Sequence, residues 1–216
     1  MINEQVSVDH EYYLTDREPL VRLVRGTPNR VLELGCGSGL LIGRLKKLGC
    51  KYICGIEAHE QIAARARLTS GADEIIACDI ERTPPHFPPA SFDLIVASHV
   101  LEHLADPWKV TKLLAYWLRP GGQFVGAIPN VRHARVVLSL LLRGTWTYEQ
   151  AGILDWTHLR FFTRNEIGKL LESADLRVDC IDPEVTGQRS NLLRFMSCGL
   201  LTDFAAYAYN FSATKK

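Results

Sequence analysis

With 216 residues, 47% of them apolar, the chain can build a substantial core, and its length suits one large domain or two small ones. A formal net charge of +1 gives no basic field, which argues against nucleic acid as the main substrate. Six cysteines (Cys36, Cys50, Cys54, Cys78, Cys180 and Cys198) are scattered with no C-x-x-C pair, so neither a zinc ribbon nor a disulfide framework is suggested, and buried free thiols are expected.

The first stretch, Met1 to about Gly26, carries the aromatic pair Tyr12-Tyr13 and no signal-peptide pattern. No apolar run approaches about 18 residues, so a soluble, cytoplasmic protein without a transmembrane segment is expected. An apolar strand from Arg30 runs into Gly35, Gly37 and Gly39, followed by a helix Leu40–Leu48 and Gly49. A second strand, Tyr52–Ile56, ends at Glu57-Ala58, and a third, Glu74–Cys78, at Asp79-Ile80. The loop Glu81–Ser91 holds four prolines and cannot be helix. A fourth strand, Phe92–Ser98, opens into Ser98-His99-Val-Leu-Glu102-His103, then Asp106-Pro107, a helix, the turn Arg119-Pro-Gly-Gly122 and a fifth strand, Gln123–Ile128. After an insert, Pro129–Phe162, the capping box Thr163-Arg-Asn-Glu166 opens a helix to about Asp175. A sixth strand, Leu176–Ile181, follows, and Phe204–Thr214 alternates well enough for a last one.

Strands alternating with helices specify a doubly wound, Rossmann-like α/β sheet in a single domain, which binds ligands at the carboxyl ends of its strands. The glycines let the backbone turn tightly and approach a ligand with no Cβ in the way. Their spacing departs from the dinucleotide fingerprint G-x-G-x-x-G, and Glu33, two residues before the first, would repel a pyrophosphate but hold an amino group. Glu57, 20 residues past Gly37, stands where an acid grips a ribose diol. The pattern E-x-G-x-G-x-G, with an acid at each following strand tip, resembles class I S-adenosylmethionine (SAM) methyltransferases. That resemblance implies SAM as cofactor, held around Glu33, Gly35, Cys36, Gly37, Gly39, Glu57, Ala58, Asp79, Ile80, Ser98 and His99. Asp79 would accept from the adenine amino group and Ile80 pack on the ring. It also implies a seventh strand inserted antiparallel between the fifth and sixth.

The insert concentrates aromatics, acids and histidines, which suggests a helical cap over a pocket. Tyr12, Tyr13, Asn130, His133, Trp146, Tyr148, Asp155 and Arg160 are the candidate acceptor-binding residues. Ile128-Pro-Asn130, Arg135–Gly144 and Gly152-Ile-Leu-Asp-Trp-Thr-His158 through Thr163 resemble a bacterial methyltransferase branch often associated with O-antigen and capsule biosynthesis. A hydroxyl of a sugar or glycan precursor is the acceptor this implies. Alternatives are a quinone, phenol or carboxylate acceptor, or a SAM-fold partner of an acyltransferase in methionine biosynthesis. The oligomeric state stays open, a homodimer being one possibility.

His99-Val-Leu-Glu102-His103 matches H-x-x-E-H, a zinc-protease arrangement, but the early Asp106-Pro107 makes a poor frame for it. Ubiquinone-biosynthesis O-methyltransferases are similar here, with an acid and then Glu-His binding magnesium. His99 stands where they have the acid, and magnesium prefers oxygen ligands, so no metal is expected. For the acceptor proton a histidine is the natural general base. His158 and His103 lead, with His133 and His99 behind.

Overall fold

A computed structural model describes residues 18–188, 190, 191, 195 and 199–216. Helix α1 (Glu18–Leu23) precedes β1 (Arg30–Leu34), α2 (Leu40–Lys47), β2 (Tyr52–Glu57), α3 (Glu60–Thr69), β3 (Glu74–Ala77) and β4 (Phe92–Ser98). Then come α4 (Pro107–Trp117), β5 (Leu118–Pro129), α5 (Ala134–Arg143), α6 (Arg164–Glu172), β6 (Leu176–Glu184), a helical turn Thr202–Ala205 and β7 (Ala208–Lys215). The strands form one sheet in the order β3-β2-β1-β4-β5-β7-β6. β1 to β5 pair in parallel, and β7 lies antiparallel between β5 and β6, as the resemblance implies.

The central strands are apolar along their length because helices cover both faces. One face packs Leu32, Ile95, Phe124 and Phe211 against Leu114 of α4 and Leu170 of α6. The other packs Val31, Ile53, Leu94 and Val125 against Leu20 of α1, Leu41 and Leu45 of α2 and Ala63 of α3. Burying such surface is worth roughly 25 cal/mol per Å2, so these layers fix the strand tips that carry the polar residues.

Local chemistry sets the element ends. Asp106 caps α4 by accepting from Lys109 N at 3.0 Å, with Pro107 in the first turn where its missing N–H costs nothing. Leu101–His103 is therefore a single 3-10 turn, and the H-x-x-E-H run lies on no protease-like helix. Thr163 caps α6 as the box predicts. Several boundaries shift, among them these: β5 begins at Leu118, absorbing Arg119–Gly122; β6 continues to Glu184; and β7 begins at Ala208 because Thr202–Ala205 is helical.

Of the N-terminal stretch, residues 18–26 lie by the far end of the sheet. Arg25 N donates to Gln123 Oε1 at 3.0 Å, and the Arg25 guanidinium reaches Asp179 and Thr214. Tyr12 and Tyr13 fall outside the described residues. Among the described residues no helix is long and apolar enough to cross a membrane, and Cys36, Cys50, Cys54, Cys78 and Cys180 are free thiols.

Candidate active site

At the carboxyl edge, β1 turns out of the sheet with Gly35 and Cys36 both donating to Ile56 O, at 2.8 and 3.0 Å. Gly35 has φ +67°, and a Cβ there would meet Val100 Cγ2 at 2.4 Å, so only glycine fits. Glu57 at the tip of β2 is buried; its Oε2 accepts from Gly37 N at 3.0 Å and its Oε1 from His59 N at 3.1 Å. Above these strand ends lies a cavity of about 800 Å3, a volume that suits a cofactor and a small acceptor.

Of the expected cofactor residues, Glu33, Gly35, Cys36, Gly37, Glu57, Ala58, Asp79, Ile80, Ser98 and His99 all line this cavity. Gly39 does not: at φ +80°, a Cβ there would strike Ser70 Cβ at 2.1 Å, so it serves the packing of the loop. Asp79 Oδ1 accepts from Glu81 N at 2.9 Å, turning the chain at the tip of β3, and Ile80 is buried beside it. The Ser98 hydroxyl is buried with no hydrogen-bond partner among the described residues, and His99 has φ +53°, a conformation rare outside glycine that clusters at functional sites. A cradle that admits no Cβ, a row of strand-tip acids and an unmatched hydroxyl fit SAM. Burial and the neighbouring Glu33 and Glu57 push the Cys36 thiol far up, so it lines the loop as a neutral group and not as a nucleophile.

The insert closes one side. Asp155, Trp156 and Thr157 line the cavity with Gln150 and Ala151, and His103 and Leu104 face them from the β4 side. Asp155 Oδ1 accepts from Thr157 N at 2.8 Å, and the Tyr148 and Trp156 rings stack at 6.1 Å. Trp146 packs edge-on to Phe161 at 5.1 Å, away from the cavity lining. Arg160 donates to the Ala105 carbonyl, tying the insert to the β4–α4 loop. Asn130 is fully buried: its Nδ2 donates to Asp203 O and Ala206 O at 2.7 and 2.8 Å, and its Oδ1 accepts from Arg132 N at 2.9 Å. Both of its donors and one acceptor site go to the fold. His133 caps α5 and faces a second cavity, about 730 Å3, lined by the insert itself and Tyr207.

His158 is buried and absent from the cavity lining, whereas His103 lines it. Both rings donate through Nδ1 to backbone carbonyls, His158 to Ile153 O at 2.9 Å and His103 to Thr157 O at 3.2 Å, so in the neutral form of either ring the lone pair lies on Nε2. The rings meet edge-on at 4.7 Å. Burial lowers the His103 pKa below its usual value against the opposing pull of Glu102, keeping the ring neutral near pH 7. Glu102 is 1% exposed; its carbonyl accepts from Leu159 N and Arg160 N, at 2.8 and 3.0 Å. His99 Nδ1 lies 3.3 Å from Glu102 Oε1, but not in hydrogen-bonding alignment, and among the described residues neither carboxylate oxygen has a hydrogen-bond partner. With imidazoles on every side of one carboxylate, this group does not fit magnesium.

Sequence reasoning missed His59, Gln61, Glu81 and Leu104 in the lining. Each lies within a few residues of an expected strand tip, and that proximity was the available signal.

A family model described as a methyltransferase domain matches residues 9–181. A ubiquinone biosynthesis O-methyltransferase of Idiomarina loihiensis is 33% identical over 156 residues, covering 68% of this chain and 61% of that protein. Its counterpart in Aromatoleum aromaticum is 30% identical over 189 residues, covering 81% and 74%. The chain thus spans less than two thirds of the length of the first of these relatives. A crystal structure of a SAM-dependent methyltransferase from Archaeoglobus fulgidus superposes with a TM-score of 0.69 at 18% identity, over 95% of this chain and 97% of that one. A second, from Mesorhizobium loti, gives 0.66 at 18% identity over 92% and 96%. At that identity the likeness is one of fold.

Proposed function

This chain belongs to the class I SAM-dependent methyltransferases, and from that premise we propose that it methylates a ring hydroxyl of a phenol- or catechol-type quinone precursor. The observation that carries the acceptor class is the run of relatives named ubiquinone biosynthesis O-methyltransferase. They favour an aromatic hydroxyl over the sugar hydroxyl that the insert motif implies. An acceptor wall containing Trp156, backed by Tyr148, supports the reading, since a flat aromatic ring packs well on another.

SAM brings an already activated methyl group. The chain has to hold it, exclude water and take away one proton. In this reading Glu33, Glu57 and Asp79 hold the amino, ribose and adenine groups, with Ile80 against the ring and the Gly35–Gly37 backbone beneath. The acceptor enters between the β4 tip and Asp155–Thr157. His103, neutral and with its Nδ1–H held by the Thr157 carbonyl, takes the hydroxyl proton on Nε2 as the oxygen attacks. His158, off the lining, positions His103 by edge contact.

The test is methyl transfer from labelled SAM to a panel of catechols, hydroxylated prenylphenols and nucleotide sugars. Labelling of the ring hydroxyls supports the proposal. Labelling of the sugars alone restores the glycan reading, and labelling of neither, with SAM bound, removes the acceptor assignment.

A further inference from the structure

We infer that the second cavity, between α5 and the turn that precedes Asp155, binds a small organic acid: one carboxylate on an apolar aryl or acyl body. It is a site of its own and not a branch of the cofactor cavity. Glu149 N donates to Leu154 O at 2.8 Å, Asp155 N to Gly152 O at 3.2 Å and Trp156 N to Glu149 O at 3.1 Å, which closes this turn into a partition. Gln150, Ala151 and Asp155 line the cofactor side of it, whereas Glu149, Ile153 and Leu154 line the other. At about 730 Å3 the second space is of ligand size, far above the voids that packed interiors leave.

The lining divides into an apolar length and a polar end. Arg135, Val136, Ser139, Leu142 and Arg143 of α5 line it, the three- and four-residue spacing of one helix face. Val136 and Ile153 are already buried, while Leu138 and Leu142 line the space yet stay 50% and 74% exposed, so an apolar body laid there would cover them. Beside the first turn of α5 the His133 and Tyr207 rings, both in the lining, meet edge-on at 6.2 Å. His133 Nδ1 accepts from Arg135 N, so the neutral ring carries its hydrogen on Nε2. Tyr207 is pinned by its backbone, donating to Glu184 O at 2.8 Å and accepting from Asn130 N at 2.9 Å. Its hydroxyl lies 3.4 Å from where a Cβ at Gly152 would stand, and among the described residues it has no hydrogen-bond partner. Burial raises the tyrosine pKa and lowers that of the histidine, so at neutral pH both offer uncharged donors. The charge comes from arginine. Glu149 is paired with Arg135, whose guanidinium keeps further N–H groups, and Arg143 leaves the lining one positive charge in excess. Two donors beside an arginine, under a positive excess, select a carboxylate over a neutral or cationic head group.

The site is independent of the acceptor assignment and can be tested without turnover. Calorimetry on the full chain uses cinnamate and octanoate as probes, beside cinnamyl alcohol and octanol, which keep the same bodies without the charge. Saturable one-to-one binding of at least one acid is expected, cinnamate marking an aryl site and octanoate an acyl one, with the matching alcohol weaker by about tenfold or more. Tyr207→Phe removes only the hydroxyl, and His133→Asn keeps a helix cap while removing the ring N–H. Each should weaken the acid by about tenfold with little change in Tm, while the exposed Lys112→Ala keeps it. Saturating S-adenosylhomocysteine should not compete with the acid, because the two lie on opposite sides of the partition. If that nucleoside fails to bind the unaltered protein, the methyltransferase reading fails and the acid site does not. Absence of saturable binding by either acid, equal binding of the alcohols, displacement by the nucleoside, or full affinity in both folded variants overturns the site.

Discussion

The Glu57 carboxylate holds the glycine loop before any ligand arrives: its Oε2 accepts from Gly37 N at 3.0 Å while its Oε1 takes His59 N at 3.1 Å. The acid at the tip of β2 therefore braces the turn after β1, and in the proposed cofactor site it would also present an acceptor to a ribose. A Glu57→Ala variant should lose both. Loss of a charged hydrogen bond costs about 1.5–3 kcal/mol, so affinity for S-adenosylhomocysteine should fall by about tenfold to a hundredfold. Calorimetry on folded protein checks it; unchanged affinity would remove Glu57 from the cofactor site.

Gly35 permits a sharper steric test. An alanine there would hold φ near +67° with its Cβ 2.4 Å from Val100 Cγ2, and Val100 itself lines the cavity. Left-handed strain costs about 1–2 kcal/mol and overpacking about 1–3 kcal/mol, although relief of one relieves part of the other. Gly35→Ala should lower Tm by several degrees and weaken the product nucleoside at the same time. Gly39→Ala, which clashes with Ser70 outside the lining, should lower Tm while weakening the nucleoside far less.

These loop positions were legible because buried parallel strands write themselves as continuous apolar runs and end in glycines or acids with few alternatives. β7 was harder to place at its start. Phe204 continues the alternation in sequence, yet Asn130 captures the carbonyls of Asp203 and Ala206 and holds that segment as a helical turn. Arg119-Pro-Gly-Gly122 reads as a turn by composition, but pairing with β4 extends β5 through it, with a register shift beside Phe92. The meeting of His158 with Glu102 and His103 was not legible at all. It depends on two backbone amides, Leu159 and Arg160, docking on one carbonyl far away in the chain, and no periodicity encodes that.

Asn130 separates an acceptor residue from a structural one. Its side chain makes three hydrogen bonds, two of them to carbonyls that would be left unmatched. Leaving a buried polar group unsatisfied costs about 1–3 kcal/mol, so Asn130→Ala should destabilise the fold by about 2–4 kcal/mol, or roughly 5–15 °C in Tm. Below the transition, KM for the acceptor should stay within about twofold, because the removed bonds all point into the fold. A large rise in KM with Tm unchanged would return Asn130 to the acceptor pocket.

The pH dependence follows from His103. Burial lowers its pKa from 6.5, so in the folded chain the ring binds its proton only at more acidic pH. Two consequences have the same sign. A kcat that depends on a neutral imidazole should be constant at neutral pH and fall along an acidic limb whose midpoint lies below 6.5. The stability gained by keeping the ring neutral is present above the unfolded value of 6.5 and is lost as pH falls through the folded one, because over that interval the unfolded chain binds more protons. His103→Ala should lower kcat by about 10²–10⁴-fold, keep the affinity for S-adenosylhomocysteine and abolish the acidic limb. Loss of rate with the limb unchanged would assign the titration to another group and leave His103 as a wall of the cavity.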